Sequence, residues 1–271
     1  MTSRIKSTTA KLQALYTVRY LLGARRFLDR SLPGAKQRQI YDRVTRTVVN
    51  IAIRDDDDWI QIEHIFLNEG YNLEKTARQL PIATLYSRII KSDAPPLIID
   101  LGANIGLASK YFDIIYPNSR ILAVEPDQGN CEIAQKNLPK TAVLHQAAIA
   151  SRSGSGHLIP TGRNVGFRVE SDPDGGVPLL TVQDLLDQAK GCAPFLIKID
   201  IEGFESDLFS CNTDWIDLFP ILLIELHDWI LPGKTVTHYF LREMSRRNRD
   251  FMHFDGYVAS IAGDLSRFTI L

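Results

Sequence analysis

The chain has 271 residues, of which 45% are hydrophobic and 23% charged, and its formal net charge is −1. That is enough apolar material for one large core or two small ones, while no run approaches the roughly 18 uninterrupted apolar residues of a membrane span. Cys131, Cys192 and Cys211 are scattered, with no C-x-x-C pair. They argue against a disulfide framework or a zinc site and for a reducing, cytoplasmic setting.

The near-neutral total hides an uneven distribution. Residues 1–46 carry eleven basic side chains against Asp29 and Asp42, a local balance of +9 that leaves −10 for the remainder. Leu12, Leu15, Tyr16, Leu22 and Phe27 recur there at near-helical spacing, which predicts a basic amphipathic helix. Its simplest use is to cap the core and turn its charges to water, and peripheral contact with an anionic membrane surface is the functional alternative. Nucleic acid is disfavoured, because aromatic residues are not interleaved with the charges. Lys6, Lys11 and Arg19 interrupt every apolar run, so no secretory leader is expected.

Pro33-Gly34 ends this helical stretch, and Val48 to Ile53 alternates like a short strand. Asp55 to Asp58 form a run of acids. Asp57 or Asp58, followed by Trp59, Ile62, Ile65 and Phe66, predicts an N-cap and an apolar helix face rather than a metal site. Glu69-Gly70-Tyr71 closes that helix, and Ser92-Asp-Ala-Pro-Pro96 leads into a sheet domain.

From Leu97 an α/β pattern runs almost to the end. Strands are expected at Leu97–Leu101, Ile121–Glu125, Val143–His145, Phe195–Asp200, Ile221–Leu226, Phe251–Phe254 and Phe268–Leu271. Between the third and fourth, His157–Ile159 and Phe167–Val169 predict a hairpin, and Thr181-Val-Gln-Asp184 opens a helix.

The chemistry starts at the end of the first of these strands. Asp100-Leu-Gly102-Ala-Asn104-Ile-Gly106 joins a buried strand to a tight turn and a helix N-terminus, the place where an open α/β sheet holds a nucleoside. A dinucleotide fingerprint would carry a glycine where Asn104 stands. An acid at the strand mouth repels a pyrophosphate but suits an ammonium group. The pattern therefore points to S-adenosylmethionine rather than NAD. Glu125 ends the second strand at the spacing expected for an acid that accepts ribose hydroxyls. Asp100, Gly102, Asn104, Gly106 and Glu125, with Gln146 after the third strand, form the expected cofactor set. The fourth strand ends in Asp200-Ile-Glu202-Gly-Phe-Glu205 and the fifth in Glu225-Leu-His227-Asp228. So dense a polar cluster on two apolar strands costs several kcal/mol unless it meets water, hydrogen bonds or a ligand. Asp200, Glu202 and His227 are the expected catalytic residues.

Four segments together resemble the FkbM-type methyltransferases: Asp-Leu-Gly-Ala-Asn-Ile-Gly (100–106), Ala-Val-Glu-Pro-Asp (123–127), Lys-Ile-Asp-Ile-Glu-Gly-Phe-Glu (198–205) and Ile-Glu-Leu-His (224–227). The resemblance extends over roughly Arg54 to Phe254, and Asp-x-Glu-Gly-x-Glu is its specific part. It departs at Gln183, where the family usually carries an acid. It implies S-adenosylmethionine as cofactor and O-methylation of a sugar, glycan or natural product. It also implies the Rossmann-like, doubly wound, mostly parallel seven-stranded sheet of class I methyltransferases. Residues 93–271 would form that domain and residues 1–92 a basic, mainly helical extension packed on it. The basic segment 1–46 lies outside the resemblance and is expected to be dispensable for cofactor binding.

Methyl transfer from a sulfonium is an in-line displacement, so most acceleration can come from positioning the acceptor oxygen. A hydroxyl must also lose its proton. His227 titrates nearest neutrality, and Asp200 or Glu202 could serve if raised by a neighbouring acid. A divalent metal on Asp200, Glu202 and Glu225 is the disfavoured route, since no spacing compels one, and no metal is expected. Two further alternatives are an NAD-dependent oxidoreductase and a non-catalytic membrane-surface module built on a methyltransferase-like core.

Overall fold

A computed structural model describes residues 25–32, 34–160, 167–254 and 256–268. The chain opens with a three-stranded antiparallel sheet, β1 (Phe27–Asp29), β2 (Gln37–Asp42) and β3 (Thr47–Ala52). Helix α1 (Asp56–Ile62) runs into a π-helical turn (Glu63–Leu67), and a 3₁₀ turn (Leu73–Lys75) precedes α2 (Gln79–Ile90). Next come β4 (Pro96–Leu101), α3 (Leu107–Ile115), β5 (Arg120–Val124), α4 (Gln128–Asn137) and β6 (Val143–His145). A small sheet interrupts this alternation, formed by β7 (Ala148–Ile149), β8 (Gly154–Pro160), β9 (Phe167–Ser171) and β10 (Val177–Leu180). The chain then continues through α5 (Val182–Gln188), β11 (Ala193–Ile199), α6 (Glu205–Leu208), β12 (Ile221–Glu225), α7 (His238–Ser245), β13 (Arg249–Phe254) and β14 (Tyr257–Ala262).

The main sheet has the order β13-β14-β12-β11-β4-β5-β6. Strands β12, β11, β4, β5 and β6 are mutually parallel, and β14 runs antiparallel to both β12 and β13. From β4 the chain winds outward through β5 to β6, then crosses back to build β11 and β12 on the other side. That reversal opens a crevice between the carboxyl ends of β4 and β11, where ligands of doubly wound sheets bind.

Alternation along the strands separates two cores. Ile98, Leu196, Leu223 and Ala259 face one of them, and Leu97, Ile99, Leu101, Ile197 and Ile224 face the other. The first face also receives the N-terminal sheet through Phe27, Ile40 and Ile51. Phe27 is fully buried, meeting Phe66 edge-on at a centroid distance of 5.4 Å and Tyr111 at 5.9 Å. The Arg26 guanidinium pairs with buried Asp42 at 2.9 Å and closes this corner.

Several expectations change here. Residues 27–29 form a strand rather than the end of a helix, because Phe27 is drawn into an aromatic cluster that β1 reaches by pairing with β2. Leu12, Leu15, Tyr16 and Leu22 lie outside the described residues. The N-cap of α1 is Asp55, which accepts from the Asp57 and Asp58 amides, while Asp58 turns inward to Arg54 at 2.8 Å. The seventh strand of the sheet is β14 rather than residues 268–271, of which 269–271 lie outside the described residues. The hairpin β8/β9 and the helix opening at Thr181 form as the sequence predicts, and Thr181 with Asp184 makes a capping box there. Among the described residues no helix is long and apolar enough to cross a membrane.

Because Phe27 and Ile40 belong to the core, residues 1–46 are not separable as a block. Phe27→Ala should cost about 3–5 kcal/mol, the usual loss for a buried aromatic. Urea denaturation followed by circular dichroism measures it, and a loss under ~1 kcal/mol would mean the N-terminal sheet is only loosely attached.

Candidate active site

The crevice holds a cavity of about 420 Å³. The glycine turn, Glu125 and Ala147 to Ile149 form one side, and Lys198, Asp200, Glu202, Glu225 and Tyr257 form the other. Ile60, Gln61, His64 and Tyr71, from the segment before the main sheet, complete the wall.

Strand register explains the polar side. Lys198 lies beside Asp100 across the β11–β4 pair, and residues two apart on a strand share a face. Asp100, Lys198 and Asp200 therefore meet. The Lys198 ammonium donates to the Gly102 carbonyl at 2.7 Å and pairs with Asp100 at 3.3 Å and Asp200 at 3.2 Å. Glu225 neighbours Tyr257 across β12–β14, and the Tyr257 hydroxyl donates to Asp200. His227 sits behind these acids, 1% exposed, with Nδ1 2.7 Å from Glu205. Its Nε2 faces Asp200 at 3.5 Å, Glu225 at 3.8 Å and Glu202 at 3.9 Å.

The electrostatics follow from this crowding. Burial, then the charge of Asp200, pushes the Glu202 carboxyl up to about 7, and the same two causes raise Glu225. For His227 burial opposes the charged form but is outweighed by the bond to Glu205 and by the surrounding carboxylates, which lift it to about 9. Lys198 is likewise held protonated: burial is overcome by Asp200 and Asp100.

On the cofactor side, Glu125 is buried and accepts from the Asn104 amide at 2.8 Å, the Asp127 amide at 3.0 Å and the Asn130 side chain at 3.0 Å. Burial raises its pKa despite these bonds. Arg54 in turn donates to the Asn130 carbonyl oxygen at 2.6 Å, tying the acid to the start of α1.

Of the expected cofactor set, Gly102, Asn104 and Glu125 line the cavity. Asp100 does not: its fully buried carboxylate lies behind the turn, on Lys198 and the Ser109 hydroxyl. Gly106 caps α3 with a positive φ and faces Leu138 and Ala134, away from the crevice. Gln146 is exposed and off the wall, because the chain turns after β6 and presents Ala147, Ala148 and Ile149 instead. Of the expected catalytic set, Asp200 and Glu202 line the cavity and His227 is one layer behind. Lys198, Tyr71, His64 and Tyr257 were not anticipated. Lys198 alone had a signal, a lysine inside the apolar run Phe195-Leu-Ile-Lys-Ile.

These residues suit S-adenosylmethionine. Gly102 has φ +74°, and a Cβ there would come within 1.8 Å of the Asp200 carbonyl oxygen, so only glycine lets the turn lie this close. The Asn104 side-chain oxygen is buried, with no hydrogen-bond partner among the described residues. The acids beside it favour a cationic ligand. Gly102→Ala should abolish cofactor protection in a thermal-shift assay and lower the melting temperature. Glu125→Ala should weaken binding by about 1.5–3 kcal/mol, as expected for a lost charge-assisted group. It should also destabilise the fold, since three donors lose their acceptor, and calorimetric titration with parallel melting separates the two effects.

The chain is similar to known proteins. Residues 100–253 match the methyltransferase FkbM domain. The hexuronic acid methyltransferase AglP of Haloferax volcanii is 22% identical over 170 residues, covering 59% of this chain and 70% of that protein. Among solved structures, the O-methyltransferase TomG of Streptomyces achromogenes aligns with 78% of this chain and 91% of its own at 13% identity and a TM-score of 0.40. An O-methyltransferase of Bacillus cereus covers 77% of this chain and 91% of its own at 9% identity and a TM-score of 0.38. The domain match spans more than half of the chain and takes in the glycine turn, Glu125 and the acids of β11 and β12. The protein belongs to the FkbM methyltransferase family.

Proposed function

We propose that this S-adenosylmethionine-dependent methyltransferase transfers its methyl group to a hydroxyl of a sugar, as a free sugar or within a glycan. The observation that carries this reading is that Asp200, Glu202 and Glu225 line the same cavity as the glycine turn. A wall of carboxylates serves an acceptor that gives up a proton, as a hydroxyl does and a carboxylate does not. The activity named for the Haloferax volcanii relative, on a hexuronic acid, supports a sugar.

When bound, S-adenosylmethionine supplies a methyl group activated by a positively charged sulfur. The chain's own residues do the rest. Glu125 and the turn at Gly102 to Asn104 hold the nucleoside end, and Lys198 fixes that turn against Asp200. Asp200 and Glu202 face the acceptor hydroxyl and draw its proton. His227, anchored by Glu205, orders those two carboxylates from behind. Tyr71, His64 and Tyr257 close the acceptor side against water. In-line positioning between these two walls accounts for most of the acceleration.

The division of the chain goes with this reading: residues 93–271 as the methyltransferase domain and residues 1–92 as an extension whose α1 segment shapes acceptor choice. So does a cytoplasmic place of work, in keeping with three free cysteines. The +9 balance of residues 1–46 supports peripheral contact with an anionic surface.

Transfer of labelled methyl to hexuronic acid and hexose acceptors tests the proposal. Asp200→Asn should lower turnover by about 10²–10⁴-fold, the range for a lost acid–base group, with cofactor affinity nearly unchanged. Turnover at the wild-type level in that variant would move the acceptor to another part of the cavity.

A further inference from the structure

The acids of β11 and β12 carry more negative charge than the mechanism above uses. Asp200, Glu202, Glu205 and Glu225 surround the His227 ring, and the two side chains among them that can carry positive charge, His227 and Lys198, are fewer than the acids, with Lys198 already committed to Asp100, Asp200 and the Gly102 carbonyl. Charges this deep are costly unless matched by opposite charge.

The donor atoms are also arranged for a ligand. One oxygen each of Asp200 and Glu202 and one nitrogen of His227 lie within 4.8 Å of one another. His227 is 1% exposed, and its Nδ1 is occupied by Glu205 at 2.7 Å. Its Nε2 makes no hydrogen bond among the described residues and is aimed at Asp200 and Glu202 from 3.5 and 3.9 Å. A carboxylate that fixes one ring nitrogen and directs the other is the usual support of a metal-binding histidine. Ligands about 2.1 Å from an octahedral cation sit about 3 Å apart, so closure asks for a contraction of about an ångström or less at the histidine and of up to about 2 Å between the two carboxylates. Glu202 lies on the turn after β11, with φ 54°, and Gly203 follows at φ 98°. This left-handed turn is what brings Glu202 back toward Asp200.

We propose that Asp200, Glu202 and His227 form a binding site for one divalent cation of the manganese type, which holds the acceptor hydroxyl. The donor set, two carboxylates and an imidazole with room for substrate and water oxygens, suits a hard to borderline ion. The proposal rests on the acceptor reading of this cavity: it moves Asp200 and Glu202 from direct proton transfer, and His227 from ordering them, to cation binding, with the His227 ring releasing its proton as the cation binds. Glu225 lines the cavity outside the three-atom set and stays available to take the proton. A bound cation neutralises the cluster and lowers the pKa of a coordinated hydroxyl.

The test uses the full-length protein, stripped with EDTA, desalted and titrated with MnCl2. Calorimetry, electron paramagnetic resonance and thermal melting follow binding. Wild type should take up one Mn²⁺ per chain saturably and melt at a higher temperature. Asp200→Asn and Glu202→Gln should each weaken binding by roughly tenfold or more. Glu202 sits on a solvent-reached turn, so its variant keeps the test valid if Asp200→Asn misfolds. No saturable binding at millimolar Mn²⁺, or the same affinity in both folded variants, overturns the site. Labelled methyl transfer in EDTA and in Mn²⁺ separates this from the sugar reading. Transfer that persists in EDTA without Mn²⁺ uptake overturns the cation site and leaves the acceptor assignment standing. Variant-sensitive Mn²⁺ uptake with no transfer to any sugar supports the cation site and removes the sugar assignment.

Discussion

A single buried ammonium group holds the two halves of the site together. Lys198 is 3% exposed and reaches across from β11 to the Gly102 carbonyl and the Asp100 carboxylate on β4, while its own strand supplies Asp200. Each contact constrains something else. The bond to Gly102 fixes the glycine turn that lines the cavity, and the pair with Asp100 satisfies a fully buried carboxylate. The pair with Asp200 holds an acid on the cavity wall. A lysine this deep is tolerated only because its charge is matched on two sides. Lys198 is thus where the architecture of the sheet becomes the geometry of the cavity.

Around that anchor the molecule arranges its polarity in layers. Lys198, Asp200 and Glu225 continue the sheet face whose apolar part carries Leu196, Leu223 and Ala259. The same face is covered by the N-terminal sheet and by the aromatic cluster of Phe27, Phe66, Tyr71 and Tyr111. The extension therefore serves as more than a cap. It supplies Tyr71 and His64 to the cavity and, through Arg54 and Asn130, steadies Glu125 on the cavity wall.

Strands β4, β5, β6, β11 and β12 were legible because each is a short apolar run stopped by a polar residue, and the glycine turn and its two acids mark where a nucleoside would lie. Asp200 and Glu202 could be placed at the rim from strand ends alone. Other parts depended on distance in space. Nothing local distinguishes Glu125 as an acceptor of three protein donors, or shows that Asp100 turns behind the loop. The inward position of His227 comes from Glu205, which the sequence places 22 residues earlier, at the start of α6. Strand β1 was hidden because Phe27 fits a helical stripe as well as a strand, and only its aromatic partners decide between them. Strand β14 had a hairpin signal, Asp255-Gly256, but no polar alternation to reveal it, being buried along most of its length.

The span of the Lys198 contact also bears on how the protein is made. Lys198 follows Gly102 by 96 residues, and β4 lies between β5, which comes next in the chain, and β11, which comes much later. A ribosome delivering this chain from its N-terminus releases the glycine turn well before its support exists. Until β11 emerges, one edge of β4 has no strand beside it and Asp100 has no ammonium to meet. Pairings of such long sequence separation form slowly, since loop closure must come first. The nascent chain thus passes through an interval in which β4, a strand buried along its whole length in the folded protein, is unguarded, and that interval is when it would most depend on chaperones.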